Sequence, residues 1–397
     1  MTAIAVPAAG VRLRKPGSSL GRRILKGGAI FFATLIGLVV VIVVAGSIAR
    51  ALPRQLIAPT GLAAVGRIEL LLTDRSRVDP FATDGRMREL SVWIWYPTAG
   101  TAGQKAPYLP AAWADAANQV NGPAAFLFQD NNSVQTNSIA GAQLEGRPPV
   151  VVLMPGLGNS VPEYTTIAED LASHGYAVVG INMTGSSLVG FPDGHLTYGT
   201  TLGSVNETNV TAWYPQAERV TTVWAKDAAF VVASLAQTPP AIGALDFSRV
   251  AYVGHSLGGA ASFEACRQDS HCATAVDLDG TLWTDVRHTG LQVPSLILRH
   301  PNATCDAFCE AANTDFAQVK ATGTRLLTLQ GSEHLNFSDS SVLFEPALHP
   351  LGYLGPIDGA RAILITRDVL RSFLDAPMRG APAAAFESTV GRYSELR

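Results

Sequence analysis

No acidic residue occurs before Glu69, although the same 68 residues hold nine basic ones: Arg12, Arg14, Lys15, Arg22, Arg23, Lys26, Arg50, Arg54 and Arg67. Charge is scarce throughout, at 15% of 397 residues against 47% hydrophobic. A chain this apolar and weakly charged is not intrinsically disordered. Removing those nine from a total of 29 basic residues leaves 20 against 32 acids, so the body from residue 69 carries a formal charge of −12. It lacks the basic footprint that a phosphate backbone requires, which excludes nucleic acid as its partner. Cysteine is nearly absent: four residues, none at zinc-finger or redox-motif spacing. No internal repeat is present, and nothing in the chain points to a protein partner.

What is present begins with residues 27–49, 23 consecutive residues without a charge. As a helix rising about 1.5 Å per residue they span a bilayer core. The apolar core of a cleavable signal peptide is shorter, about 7–15 residues, so a retained signal anchor is favoured; Ser47-Ile48-Ala49 would be the cleavage site of a secreted form. Six basic residues precede the span and only Arg50 and Arg54 follow closely. The positive-inside rule therefore puts the N-terminus in the cytoplasm and everything beyond residue 50 outside it. The expected organisation is a cytoplasmic tail (1–26), a transmembrane anchor (27–49), a linker (50–64), a catalytic domain (65–380) and a C-terminal tail (381–397). An oxidising compartment suits two short-range disulfides, Cys266–Cys272 and Cys305–Cys309, among the three pairings that four cysteines allow.

Beyond the linker, short apolar runs alternate with helical periodicity. Strands are expected at 67–72, 89–96, 150–154, 176–182, 250–253, 273–278, 293–298 and 325–329. Helices are expected at 163–173, 218–235, 258–266, 306–321 and 356–374. Several of the strands are continuously apolar, as in parallel sheets covered on both faces. The fold class is therefore α/β, a mostly parallel, doubly wound sheet preceded by one transmembrane helix. Ligands of such sheets bind beyond the carboxyl ends of the strands, which restricts the search for chemistry to the turns after them.

Gly-x-Ser-x-Gly occurs twice. Gly17–Gly21 lies in the basic tail with no strand before it and is discarded. Gly254-His255-Ser256-Leu257-Gly258 follows a buried strand and opens a helix, as a nucleophile elbow requires. The glycines let backbone segments approach closely at the turn, and the helix N-terminus with the Leu257 N–H faces a developing oxyanion. A serine needs a base. Of the eight histidines, His334 stands beyond the last strand in Gly331–Phe337; His300 and His349 read as solvated loop residues, and His255 points away from the site. The orienting acid should fall between Ser and His, which leaves Asp279, Asp277 and Asp306. Asp279, at the strand edge, is preferred over the more deeply placed Asp277. A second oxyanion donor is expected from the turn after 150–154, the N–H of Leu157.

Two alternatives come from other classes. Val276-Asp277-Leu278-Asp279-Gly280-Thr281-Leu282 matches the first motif of haloacid-dehalogenase-type phosphatases, with Asp277 as nucleophile and Mg²⁺ as cofactor. Downstream, however, there is no adjacent acidic pair and no Gly-Asp followed by a second acid to hold that metal. The other alternative is a non-catalytic α/β-hydrolase scaffold used for binding, which has no physical need for all three of Ser256, Asp279 and His334.

Together these residues resemble the plasma-type platelet-activating-factor acetylhydrolases and their bacterial lipase-like relatives. The likeness covers about residues 65–375. It lies in Ser91–Pro97, in Pro149–Gly158 followed by Asp170–Tyr176, in Gly254–Gly259, in Asp277–Gly280 and in Gly331–Asp339. The resemblance implies an α/β-hydrolase fold, catalysis without metal or other cofactor by Ser256, Asp279 and His334, and oxyanion donors at the backbones of Leu157 and Leu257. It implies short-acyl or oxidised phospholipids, small carboxylic esters or polyester oligomers as substrates. Two features depart from the family: Pro155, where a histidine is common, and the insert 184–216. Phe191, Tyr198, Trp213 and Tyr214 in that insert either line an acyl pocket or pack against the body.

Overall fold

The structure, a computed structural model, describes residues 19–206, 210–301 and 324–397. The chain divides into two units, Met1–Ala49 and Arg50–Arg397. Helix α1 (Ser19–Ala51) accounts for the described part of the first. Its stretch Arg23–Ala51, with a mean hydropathy of 2.9, is long and apolar enough to cross a membrane.

The second unit is built on an eleven-stranded sheet. Its strands are β1 (Arg54–Gln55), β2 (Ala64–Val78), β3 (Met87–Thr98), β4 (Lys105–Pro107), β5 (Val134–Ala140), β6 (Pro149–Met154), β7 (Ala177–Asn182), β10 (Asp246–His255), β11 (Cys272–Leu278), β12 (Ser295–Arg299) and β13 (Arg325–Thr328). Two short strands, β8 (Val189–Gly190) and β9 (Leu196–Thr197), pair separately in the insert. The main order is β1-β5-β2-β3-β7-β6-β10-β11-β12-β13, with β4 beside β5. From β7 to β13 all pairs are parallel. Strand β3 runs antiparallel to both β2 and β7. Each strand expected from apolar pattern lies in this sheet.

Period-two alternation divides the core. From β6, Val151 and Leu153 face one layer with α3 (Thr165–Ser173) and α9 (Gly359–Arg379); Val150, Val152 and Met154 face the other, with α4 (Val210–Gln237) and α5 (Leu257–Gln268). Helices on both faces make the sheet doubly wound, as expected. The chain passes from β6 to β7 on one side and later to β10 on the other, so the strand order reverses at the β6–β10 pair. Outside the carboxyl ends of these two strands lies the crevice where such folds place their ligands.

Two terminal stretches are more integrated than sequence composition suggests. Within residues 50–64, β1 pairs with β5, and the Thr60 N–H and hydroxyl donate to Asp170 at 2.8 and 2.9 Å. Residues 381–397 carry helix α10 (Ala383–Gly391) and bury Phe386, Tyr393 and Leu396; the Arg397 and Thr328 backbones bond reciprocally beside β13. Their Ala- and Pro-rich composition hides these few apolar anchors. Helix α2 (Ala111–Val120) and strand β5 are also additions to the expected elements. Cys266 and Cys272 form a disulfide between the end of α5 and the start of β11. Cys305, Cys309, Asp306 and the helix expected at 306–321 lie outside the described residues.

Candidate active site

Only two non-glycine residues among those described have positive φ: Ser256 at 55° and Asp279 at 62°. Such backbone is uncommon for residues bearing a Cβ and concentrates at functional sites. Both follow adjacent parallel strands, Ser256 after β10 and Asp279 after β11, where His255 pairs with Leu278.

The elbow is compressed for a visible reason. A Cβ on Gly254 would lie 2.1 Å from the Gly258 carbonyl oxygen, and one on Gly258 would lie 2.3 Å from that of Pro155. Helix α5 thus starts directly against the ends of β6 and β10, and only glycine fits at either position. Leu257 is the first residue of α5, so no carbonyl one turn earlier within the helix takes its N–H. Across the crevice the N–H of Leu157 has no hydrogen-bond partner among the described residues. The Leu157 loop is close to the elbow: a Cβ on Gly156 would sit 3.4 Å from the Ser256 Cβ. The two expected oxyanion donors therefore flank Ser256.

Asp279 and His334 meet: Nδ1 of His334 is 2.5 Å from Oδ2 of Asp279. Burial drives the Asp279 carboxyl upward, but hydrogen bonds from His300 and His334 outweigh it and hold the group well below the usual carboxylate range. It is therefore an acceptor, and the facing imidazole nitrogen carries the proton. Among the described residues the Ser256 hydroxyl makes no hydrogen bond to the His334 ring; such bonds commonly close only around a substrate. His334 is tied to the elbow by another route. Its carbonyl accepts from Nε2 of His255 at 2.9 Å, and the two rings lie 4.6 Å apart.

His255, expected to point away from the site, instead packs against His334 and links the site's loops. With Nε2 donating to a carbonyl, its Nδ1 is an acceptor and takes the Tyr164 hydroxyl proton at 2.8 Å. The Tyr164 oxygen in turn accepts the Gly156 N–H at 3.1 Å. One neutral histidine thus connects the Gly156–Leu157 loop, the elbow and the His334 loop. Burial, with the neighbouring His334, lowers the His255 pKa to about 3.

Asp277 and Asp279, two residues apart, have opposite fates. The Asp277 side chain is fully buried, its Oδ1 only 1.8 Å from where a Cβ on Gly259 would be. Burial, reinforced by the Asp279 charge, pushes it far above the usual range, so it is a neutral acid. A phosphatase nucleophile must reach a phosphate, and this carboxyl reaches no surface.

His300 and the aromatics complete the surroundings. His300, assigned to solvent by its loop context, also bonds Asp279, through Nδ1 at 2.7 Å and its backbone N–H at 2.9 Å. Its position as the first residue beyond β12, with Leu298 opposite Leu278, was the available signal. His349 remains in its loop. Of the insert's aromatics, Phe191 is buried and stacks on His195, Tyr198 is exposed, and Tyr214 stacks with both Trp213 and Trp283, the last four residues after Asp279 in sequence. A cavity lies apart from these aromatics. It measures about 320 Å³ and is lined by Trp113, Phe128, Leu188, Leu335 and Phe344, together with Gly158 and Glu163.

A parallel sheet whose central strand ends in a positive-φ serine, followed by helix and then by an Asp–His pair on later strand ends, defines an α/β-hydrolase. Comparisons with known proteins narrow this class. Residues 231–379 match the family "Platelet-activating factor acetylhydrolase, isoform II". A stretch of 144 residues, 36% of the chain, is 26% identical to a probable 1-alkyl-2-acetylglycerophosphocholine esterase of Arthroderma benhamiae; the chain spans about a third (34%) of that curated relative's length. The solved ferulic acid esterase from Streptomyces cinnamoneus superposes with a TM-score of 0.75 at 29% identity, covering 87% of this chain and 98% of that one. The chain has an α/β-hydrolase fold, and its residues 231–379 are similar to the platelet-activating factor acetylhydrolases.

The neutral His255 makes a pH-dependent contribution to stability. Its folded pKa of about 3 lies below the ordinary 6.5, so the unfolded chain binds the extra proton between those values. We expect the contribution to be full above pH 6.5 and to be lost progressively as pH falls towards 3. Glu163 and Asp339, raised by burial to about 7 and about 8, act in the opposite sense but are common to wild type and variant. Urea unfolding of the wild type and His255→Gln across pH 4–7.5 should therefore show a stability difference that shrinks on acidification. A constant difference would mean that His255 does not titrate as argued.

Proposed function

We propose that this protein is a serine carboxylic-ester hydrolase held at a membrane by residues 27–49. The observation that carries this reading is the Asp279–His334 hydrogen bond on the strand ends beside a positive-φ Ser256, within an esterase-like fold. Ser256 attacks the ester carbonyl while His334 takes its proton through Nε2, and Asp279 stabilises the imidazolium at Nδ1. The Leu157 and Leu257 N–H groups receive the oxyanion. His334 returns the proton to the departing alcohol, and water then releases the acyl group by the same steps.

The relatives are named for an acetylated glycerophosphocholine, which is an acetate ester, and for ferulic acid; both acids are compact. The 320 Å³ cavity suits the apolar part of such an ester, since its wall includes Gly158 and Leu335, the residues following Leu157 and His334. This assigns substrate contact to α2 and the 335–348 segment.

Three measurements test the reading. A fluorophosphonate applied to the full chain in detergent should label Ser256, and labelling should vanish in Ser256→Ala and His334→Ala; an unlabelled folded wild type sinks the proposal. Ala117→Trp, which fills the cavity, should lower kcat/KM for hexanoate or cinnamate-type esters about 10-fold or more while changing acetate less than about 3-fold. Equal losses on all esters would remove the cavity from the reaction. In membranes of expressing cells the chain should resist carbonate extraction, and protease added from the non-cytoplasmic side should digest residues beyond 50. Release into the soluble fraction with a new N-terminus near residue 50 would instead indicate cleavage.

A further inference from the structure

We propose that His300 is a positioning residue that clamps the Asp279 carboxylate and so holds in place the oxygen that faces His334. The proposal rests on the ester-hydrolase reading above and assigns a further residue to that site.

The Asp279 side chain is 2% exposed and follows a positive-φ backbone, so neither water nor an extended strand fixes its orientation. Its oxygens are held unequally. Oδ1 accepts the His300 backbone N–H at 2.9 Å and the His300 Nδ1–H at 2.7 Å. Oδ2 accepts the His334 Nδ1–H at 2.5 Å and lies 2.7 Å from His300 Nδ1. The His300 ring therefore straddles the carboxylate edge, and its backbone and side chain together fix rotation about the Cβ–Cγ bond. A carboxylate removed from water needs several donors to stay ionised, and His300 supplies two of the three found here.

The His300 ring has further neighbours. Nε2 of His300 is 3.5 Å from Oε2 of Glu333, the residue before His334, and the His300 and His334 rings are 6.3 Å apart. Among the described residues, Glu333, Asp279, His334 and His255 are titratable groups that interact with His300. The arrangement follows from topology: β11 and β12 are neighbours, so the residues leaving them emerge side by side. In the reaction, His334 becomes an imidazolium only transiently, and its partner must already point Oδ2 at Nδ1. Without the clamp the carboxylate turns towards whatever donor remains, and the step that makes the imidazolium slows while substrate binding is untouched.

The experiment compares full-length wild type, His300→Ala and His300→Asn. Asparagine places an amide N–H near the position of Nδ1. On p-nitrophenyl acetate, His300→Ala should lower kcat about 10–100-fold, the range typical of outer partners of a functional histidine, with KM within about 2-fold. His300→Asn should recover most of kcat. In ¹⁵N-histidine-labelled protein, the downfield Nδ1–H resonance of His334, assigned by its loss in His334→Gln, should move in His300→Ala and return in His300→Asn. This signal needs no turnover, so it tests the clamp even if wild type is inactive, an outcome that would fall on the ester-hydrolase reading instead. Unchanged kcat and resonance in a folded His300→Ala overturn the clamp. So does equal loss in both variants that tracks a lowered melting temperature, since His300 would then serve packing alone.

Discussion

The whole site hangs on the contact of one helix with two strand ends. Helix α5 begins where Gly258 meets the carbonyl of Pro155 and Gly254 meets that of Gly258, at separations that no side chain tolerates. This contact forces Ser256 into positive φ and lifts its side chain out of the strand line. It also brings the first turn of α5 beside the loop after β6, with Gly156 close to Ser256. Strain at Ser256 is sustained because three rigid elements over-determine it, a balance expected where function requires an unfavourable local conformation.

The fold was legible in the sequence to the extent that burial was two-sided. Strands β6, β7, β10 and β11 are covered on both faces and read as continuous apolar runs. Helices α3, α5 and α9 declare themselves by periodicity. What escaped were elements whose stability comes from elsewhere. Strand β5 (Val134–Ala140) is polar in pattern because Asn137 and Ser138 turn towards Glu169, and α10 anchors through few residues in an alanine-rich segment. Periodicity cannot register an element held by polar contacts or by isolated anchors.

At the site, sequence order singled out Ser256, Asp279 and His334, and the structure brings Asp279 and His334 together. His300 and Tyr164 were not singled out. His300 carries no motif, and its role exists only because β11 and β12 are neighbours. Tyr164 lies 8 residues from Gly156 but 91 from His255, the other residue it bonds. Strand order was the missing information, and no local pattern contains it.

Asp277 and Asp279 show why spacing alone misleads. The same Asp-Leu-Asp-Gly run satisfies a phosphatase motif and a hydrolase acid, and composition does not separate them. The environment does. Asp277 points between Gly259 and Gly280, where nothing solvates a charge, and it keeps its proton; its bulk and neutrality then let α5 sit against β11. Asp279, two residues on and past the strand edge, turns through positive φ to meet two imidazoles and loses its proton. One aspartate therefore serves packing and the other charge, and the difference arises from a single backbone reversal at the end of β11. Exchanging their roles would put an unpaired negative charge under α5 and leave His334 facing a neutral acid. The positive φ at Asp279 is thus a requirement of the site on the same footing as that at Ser256.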